Sequence, residues 1–276
     1  MVESRWRRGL GYAVLVLFLV LILLPFYWMV VTSFKPTGEV ATYPPTAWPV
    51  HWTIEHYRNA FVRYDFGIYV RNSIIVSCLT TLFVVMLSSM AGFAIARLPV
   101  RGKTPALIFL LMISMFPAIA IVTPLYMFMR ALGWLNSYQA LIVPYTAFNL
   151  PFAIWIMRNY FLQVPGVLLE AAKMDGASVW QAFLRIFLPL TTPGLFTTAV
   201  FTFVAAWTEF FMALVFNASK TMRTIPVGIG LFSGQYNVPY GDIFAGSVVS
   251  ILPIVVLVAV FRKWIVSGLT AGAVKG

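Results

Sequence analysis

Six apolar runs, each about twenty residues or longer, fix what this chain can become. They lie near Gly11–Val31, Asn72–Ala96, Ala106–Met129, Tyr138–Phe161, Thr191–Phe216 and Ile243–Trp264. At about 1.5 Å of rise per residue, a helix of that length crosses ~30 Å of hydrocarbon. Hydrophobic residues make up 61% of the sequence and charged ones 10%. A soluble domain carries about 25% charged residues, so this chain could not cover a globule with polar surface. The fold class expected is all-α: a polytopic membrane protein with six transmembrane helices, in contact with membrane lipid.

The formal net charge is +11. In a soluble chain that would suggest nucleic acid. Here the basic residues sit mainly at span ends, so they are read as topology and no nucleic-acid partner is expected. The first run follows Arg5, Arg7 and Arg8, which raises a signal peptide. It continues through Phe26-Tyr27-Trp28-Met29-Val30 with no A-x-A pattern after it, and is read as a retained helix. The short loop from Arg97 to Pro105 carries Arg97, Arg101 and Lys103, whereas Arg130–Gln139 is nearly neutral. Both termini are therefore expected in the cytoplasm, with Lys173, Arg185, Arg262, Lys263 and Lys275 on the same side. Lys35, Arg58, Arg63, Arg71, Arg130, Lys220 and Arg223 then fall outside.

The single Cys78 excludes an internal disulfide and is read as a small packing residue. His51 and His56 share a loop without further ligand-type neighbours, so no metal site is expected. The Lys35–Arg71 segment contains Pro36, Pro44, Pro45 and Pro49 with Trp48 and Trp52. It is read as a structured external loop. The Asn217–Asp242 segment is rich in Gly and Asn and holds Tyr236 and Tyr240. Both segments could meet an external partner or could be ordered loops with interfacial aromatics.

A polar interruption follows the fourth run. Pro165 suits a helix start, and Val167, Leu168, Ala171 and Met174 form an apolar stripe at helical spacing. Gly176 permits a left-handed stop, and Ser178 can cap a second short helix bearing Trp180, Phe183 and Leu184. Two helices with a sharp turn make a compact knob. The bland alternative is an amphipathic helix lying on the inner leaflet.

The same stretch carries a motif. Glu170-Ala171-Ala172, then Gly176, then nine residues, then Ile186, Leu188 and Pro189 resembles the EAA loop of ABC-importer permeases at all seven fixed positions. Other segments resemble the carbohydrate-uptake branch of that family, the MalG-like permeases, with a general likeness to SugB-type trehalose permeases. They are Ser33-Phe34-Lys35-Pro36 with Glu39, Trp207-Thr208-Glu209-Phe210-Phe211 with Thr208 where Asn is usual, and the tail from Trp264 to Gly276.

The resemblance implies a type I ABC-importer permease fold. It implies residues 1–70 as tail, first helix and external loop, 71–265 as the transmembrane core with a coupling loop over 162–190, and 266–276 as a cytoplasmic tail. It implies that Glu170, Ala171, Ala172, Asp175, Gly176, Ile186, Leu188 and Pro189 couple to a dimeric ABC ATPase. Gly272, Val274 and Lys275 would touch the same partner, unless the tail is merely frayed. A second, MalF-like permease and an external sugar-binding protein complete the expected assembly. The function implied is ATP-driven uptake of a sugar, a disaccharide such as trehalose or maltose, across a bacterial cytoplasmic membrane.

Glu209 is the one carboxylate deep in an apolar run. It either lines the translocation path, with Trp207 beside it, or makes a structural hydrogen bond. Arg97–Thr104 resembles a P-loop, but Arg97 stands where the first glycine should be and no strand precedes it. Leu231-Phe232-Ser233-Gly234-Gln235 resembles an ATPase signature but falls outside in this topology. The chain is expected to bind no cofactor and to be no enzyme; ATP and Mg belong to the partner. A secondary sugar transporter would need several buried acids and repeated halves. A membrane-embedded glycosyltransferase would need a cluster of catalytic carboxylates or histidines. Neither pattern is visible.

Overall fold

The computed structural model describes residues 5–233 and 238–270, with side chains described over 9–233 and 238–263. Among the described residues the regular elements are helices, with no strand. In chain order they are α1 (Arg5–Ser33), α2 (Thr37–Val40), α3 (Glu55–Arg63), α4 (Phe66–Arg97), α5 (Lys103–Ser114), α6 (Ala118–Ala131), α7 (Gln139–Gln163), α8 (Val167–Met174), α9 (Val179–Ala182), α10 (Leu188–Leu190), α11 (Thr192–Thr208), α12 (Phe211–Phe216), α13 (Ile225–Gly230) and α14 (Tyr240–Thr270).

Among the described residues, four helices are long and apolar enough to span a bilayer unaided: α1, α4, α7 and α14. Two further spans arise only if bent helix pairs are each taken as one. The run expected as a third span, Ala106–Met129, is one such pair. α5 and α6 meet at 91° across Met115-Phe116-Pro117. Pro117 caps α6 in an extended conformation, and a residue before proline is pushed out of the helical region. The expected fifth span is also interrupted. It starts after a 77° bend at Thr191. It breaks again at Glu209, which is extended at φ −67°, ψ 128°, before α12 resumes.

α1 buries only 6% of its apolar window within the chain. Such a surface requires lipid or another subunit around it. α7 is the opposite, with 56% buried, and it is the post around which the inner helices gather. Small residues permit the close approaches. A Cβ on Gly194 of α11 would stand 2.6 Å from the Tyr160 ring of α7, and one on Gly92 of α4 would stand 2.9 Å from the Arg158 amide nitrogen.

Two compact units emerge: Met1–Gly67 with Gly228–Leu252, and Ile68–Val227 with Pro253–Gly276. The first is organised by polar groups. Lys35 is only 2% exposed, although its position after α1 suggests an external, solvated charge. Its ammonium donates to the Thr46 carbonyl and lies 4.6 Å from the Trp28 ring centroid. Glu39 accepts from the Thr46 hydroxyl and from the amides of Val50 and His51. Those bonds, led by the one from Thr46, hold its carboxyl below the ordinary value. His56 is buried between Asp242 (Nδ1 to Oδ1, 2.6 Å) and the Lys35 carbonyl oxygen (Nε2, 2.9 Å). A Cβ on Gly241 would strike the His56 ring at 2.2 Å, so Gly241 leaves the ring its space.

In the second unit, one apolar cluster joins Val76, Val122, Leu141, Tyr145, Met212 and Phe216. Another gathers Phe93, Met157, Phe161, Leu169, Phe183 and Phe187 under the polar interruption. Cys78 departs from its expected packing role: it is exposed on α4.

Candidate functional site

The polar interruption folds as the two-helix knob that its residues encode. α7 ends at Gln163, and Pro165 and Gly166 lead into α8. Asp175 follows α8, and Gly176 adopts φ +80°. A side chain there is disfavoured by its own backbone, since nothing else lies within 4 Å of a Cβ. Ser178 then caps α9 in a complete capping box: its hydroxyl accepts from the Gln181 amide at 3.2 Å, and its own amide donates to Gln181 Oε1 at 2.8 Å. A five-residue π turn, Phe183–Phe187, carries the chain into α10.

Packing sorts the motif into two faces. Leu169 and Ala172, three apart on α8, turn inward with Ala182, Phe183 and Phe187. Phe93 of α4 lies 5.1–5.6 Å from the rings of Phe161, Phe183 and Phe187. Ala172 therefore sets how closely α8 approaches this cluster, while Ala171 lies on the outward face. Glu170, Ala171, Asp175, Gly176 and Pro189 are exposed, while Ile186 and Leu188 are half-buried. Met174 is 89% exposed and Val167 64%. Among the described residues the side chains of Glu170 and Asp175 make no hydrogen bond or ion pair. An outward face of free carboxylates around uncovered apolar groups suits a complementary surface better than isolated solvation.

Glu209 sits elsewhere and is fully occupied. Its carboxylate accepts from the amides of Met212 (2.8 Å) and Ala213 (3.1 Å) and from the Tyr145 hydroxyl. It caps α12 at the break in the fifth run, a geometry that favours the structural reading. Trp207 is 1% exposed and stacks on Phe203. Gly272, Val274 and Lys275 lie outside the described residues, as do Tyr236 and two residues of the ATPase-signature look-alike, Gly234 and Gln235.

Sequence reasoning did not single out the cavity between α7 and α11. It measures about 150 Å³ and is lined in part by Asn149, Phe152, Thr198, Phe201 and Thr202. The Thr198 hydroxyl there is buried without a partner. A four-residue spacing of threonines on α11 was its one visible trace. Among the described residues no three His, Cys, Asp or Glu side chains gather as metal ligands.

Comparison with known proteins agrees with this architecture. Residues 84–270, which include the knob, match the model of the binding-protein-dependent transport system inner membrane component family. The trehalose/maltose transport system permease protein MalG of Thermococcus litoralis is 43% identical over 95% of this chain and 94% of its own. The trehalose transport system permease protein SugB of Mycobacterium tuberculosis is 41% identical over 98% and 99%. A solved bacterial ABC transporter involved in import of the acidic polysaccharide alginate superposes with a TM-score of 0.82 over 95% of this chain and 99% of its own; at 22% identity it shows the fold alone. The chain belongs to the binding-protein-dependent transport system inner membrane components, the permease subunits of ABC importers.

Proposed function

We propose that this permease imports a disaccharide of the trehalose or maltose class, driven by a separate ATPase that docks on the α8–α9 knob. The observation that carries the reading is the knob itself: an apolar base anchored by Phe93, Phe161, Phe183 and Phe187, and an outward face with Glu170, Asp175 and uncovered Met174. Relatives named for trehalose support the cargo. The lipid-surface alternative is disfavoured by packing, because Leu169 and Ala172 bury their face of α8 against the aromatic cluster and leave Glu170, Lys173 and Asp175 outward.

In this reading a MalF-like permease forms the other half of the channel. An external binding protein delivers sugar. The dimeric ATPase holds ATP and Mg, and this chain holds neither. Both termini and the knob are cytoplasmic, which places the loop holding Trp48 and Trp52 outside. ATPase closure displaces the knob, and the helices alternate between inward and outward states in proportion to how differently the partner grips each one.

The test is the assembled complex in proteoliposomes, assayed for uptake of radiolabelled trehalose and maltose. Glu170→Lys reverses a charge on the docking face and is expected to weaken ATPase association about tenfold, or roughly 1.4 kcal/mol. Cysteine at Lys173, in a Cys78→Ala background, is expected to react only from the cytoplasmic side. ATPase binding and uptake unchanged by Glu170→Lys would remove the knob from the coupling path.

A further inference from the structure

The end of α7 cannot close its own hydrogen bonds. In a continuing helix the Phe161 carbonyl would accept from the amide of residue 165. That residue is Pro165, which has no N–H. Val164 caps α7 in an extended conformation, at φ −71°, ψ 131°. Four residues on, the Leu168 amide donates to the Pro165 carbonyl instead. Two carbonyls at the root of the knob, three positions apart, are thus left without their helical donors.

One side chain from another helix fills both. Arg97, in the last turn of α4, donates from Nε to the Phe161 carbonyl at 3.0 Å, and from Nη2 to the carbonyls of Phe161 and Val164. Its guanidinium carbon lies 5.6 Å from the Phe187 ring centroid, inside the π turn of the second knob segment. A Cβ on Gly166, just before α8, would come within 3.3 Å of Nη1. Phe93, one turn earlier on the same face of α4, enters the ring cluster beneath the knob. A cation is favoured at a helix C-terminus, and the planar fork of arginine can hold two oxygens where lysine offers a point charge.

We propose that Arg97 is a positioning residue that clamps the knob to α4, so that movement of the knob is passed to α4 directly as well as along the α7 backbone. The claim rests on the coupling role of the knob argued above. Bidentate contact with two carbonyls makes the end of α4, the end of α7 and the π turn one mechanical piece.

The experiment measures trehalose or maltose imported per ATP hydrolysed, whichever sugar the wild-type complex takes up, together with the thermal midpoint of that complex. Arg97→Gln is expected to lower sugar per ATP at least tenfold while the ATPase stays bound. Arg97→Lys, which keeps one donor and the tether, is expected to fall between. The decisive variant is Arg97→Gln with Pro165→Ala. It gives residue 165 an N–H, which meets the Phe161 carbonyl once Val164 turns helical, but no link to α4. The thermal midpoint is expected to recover and the sugar-to-ATP ratio to stay low. Should Arg97→Gln fail to assemble, this double variant carries the measurement alone. Recovery of the ratio in the double variant would show that Arg97 merely caps α7, and a wild-type ratio in Arg97→Gln would overturn the clamp outright. If Glu170→Lys also leaves uptake intact, the knob reading has failed; if Glu170→Lys weakens coupling and Arg97→Gln does not, only the clamp has.

Discussion

The loop between α1 and α4 and the knob between α7 and α11 are both polar interruptions in an apolar chain, yet they use their charges in opposite ways. The loop leaves Glu55, Arg58 and Arg63 exposed but commits three other ionisable side chains to internal partners. Lys35, Glu39 and His56 each hold partners within their own unit, and His56 reaches Asp242 in doing so. The knob turns its charges outward and is held from beneath by aromatic rings. Polar groups satisfied internally make a segment rigid and chemically quiet. Polar groups left free on a packed base make it available. The difference separates a structural loop from a contact surface more sharply than composition does.

The largest effect expected from this contrast lies in the loop. Asp242→Leu removes the carboxylate facing His56 and leaves a buried imidazole without that partner. Leaving a buried polar group unsatisfied costs about 1–3 kcal/mol, and more where the lost partner carried charge. The yield and thermal midpoint of the assembled complex should fall, while uptake per surviving complex stays the same. A normal midpoint would mean that the loop is not held by its polar interior.

The knob should behave in reverse. Gly176→Val forces a β-branched residue into a left-handed conformation, at a cost of about 1–2 kcal/mol or more. That strain is local, so assembly should persist while uptake falls about tenfold. Gly176→Asn, which tolerates φ +80° better, should fall less. Equal losses in both variants would show that something other than backbone strain is being read.

The smallest effect concerns Glu39. Its folded carboxyl titrates below the ordinary range, so its contribution is present above that range and is lost as pH falls through the lowered value. Proteolytic nicking near Val50 and His51 should rise as pH falls below about 4, with no change around neutrality. Because Glu39 is half-buried and still reaches solvent, screening keeps the effect slight.

Much of the knob was legible because its signals are local. Gly176 and Ser178 specify a stop and a cap within three residues, and the structure realises both. The apolar stripe read along α8 fared differently: Val167, Ala171 and Met174 are exposed, and Leu169 and Ala172 are the residues that turn inward, because the aromatic cluster lies on that side. The long runs gave α1, α4, α7 and α14 for the same reason. What escaped was of two kinds. The break at Pro117 could not be told from Pro124, Pro144, Pro151 or Pro253, which sit inside helices; tertiary context decides which proline bends the chain. The partnership of His56 with Asp242 spans 186 positions, and Arg97 read simply as a basic turn until the carbonyls it serves were in view. Glu209 stood out as an intramembrane acid, but the helix break that consumes it was hidden in an unbroken apolar run.

The π turn at Phe183–Phe187 has a consequence for the spacing of the motif. The Leu188 amide returns to the Phe183 carbonyl five residues back, so this turn contains one residue more than an α turn. A wider turn takes in its extra residue without rotating the segments on either side of it. Deleting one residue here would therefore close an ordinary α turn and leave Trp180 and Ser178 on nearly the same bearing, whereas deleting one from α8 would swing all that follows by about 100°. The residue held in the wide turn is slack in the count of nine between Gly176 and Ile186, and the regular turns around it set which way the knob points.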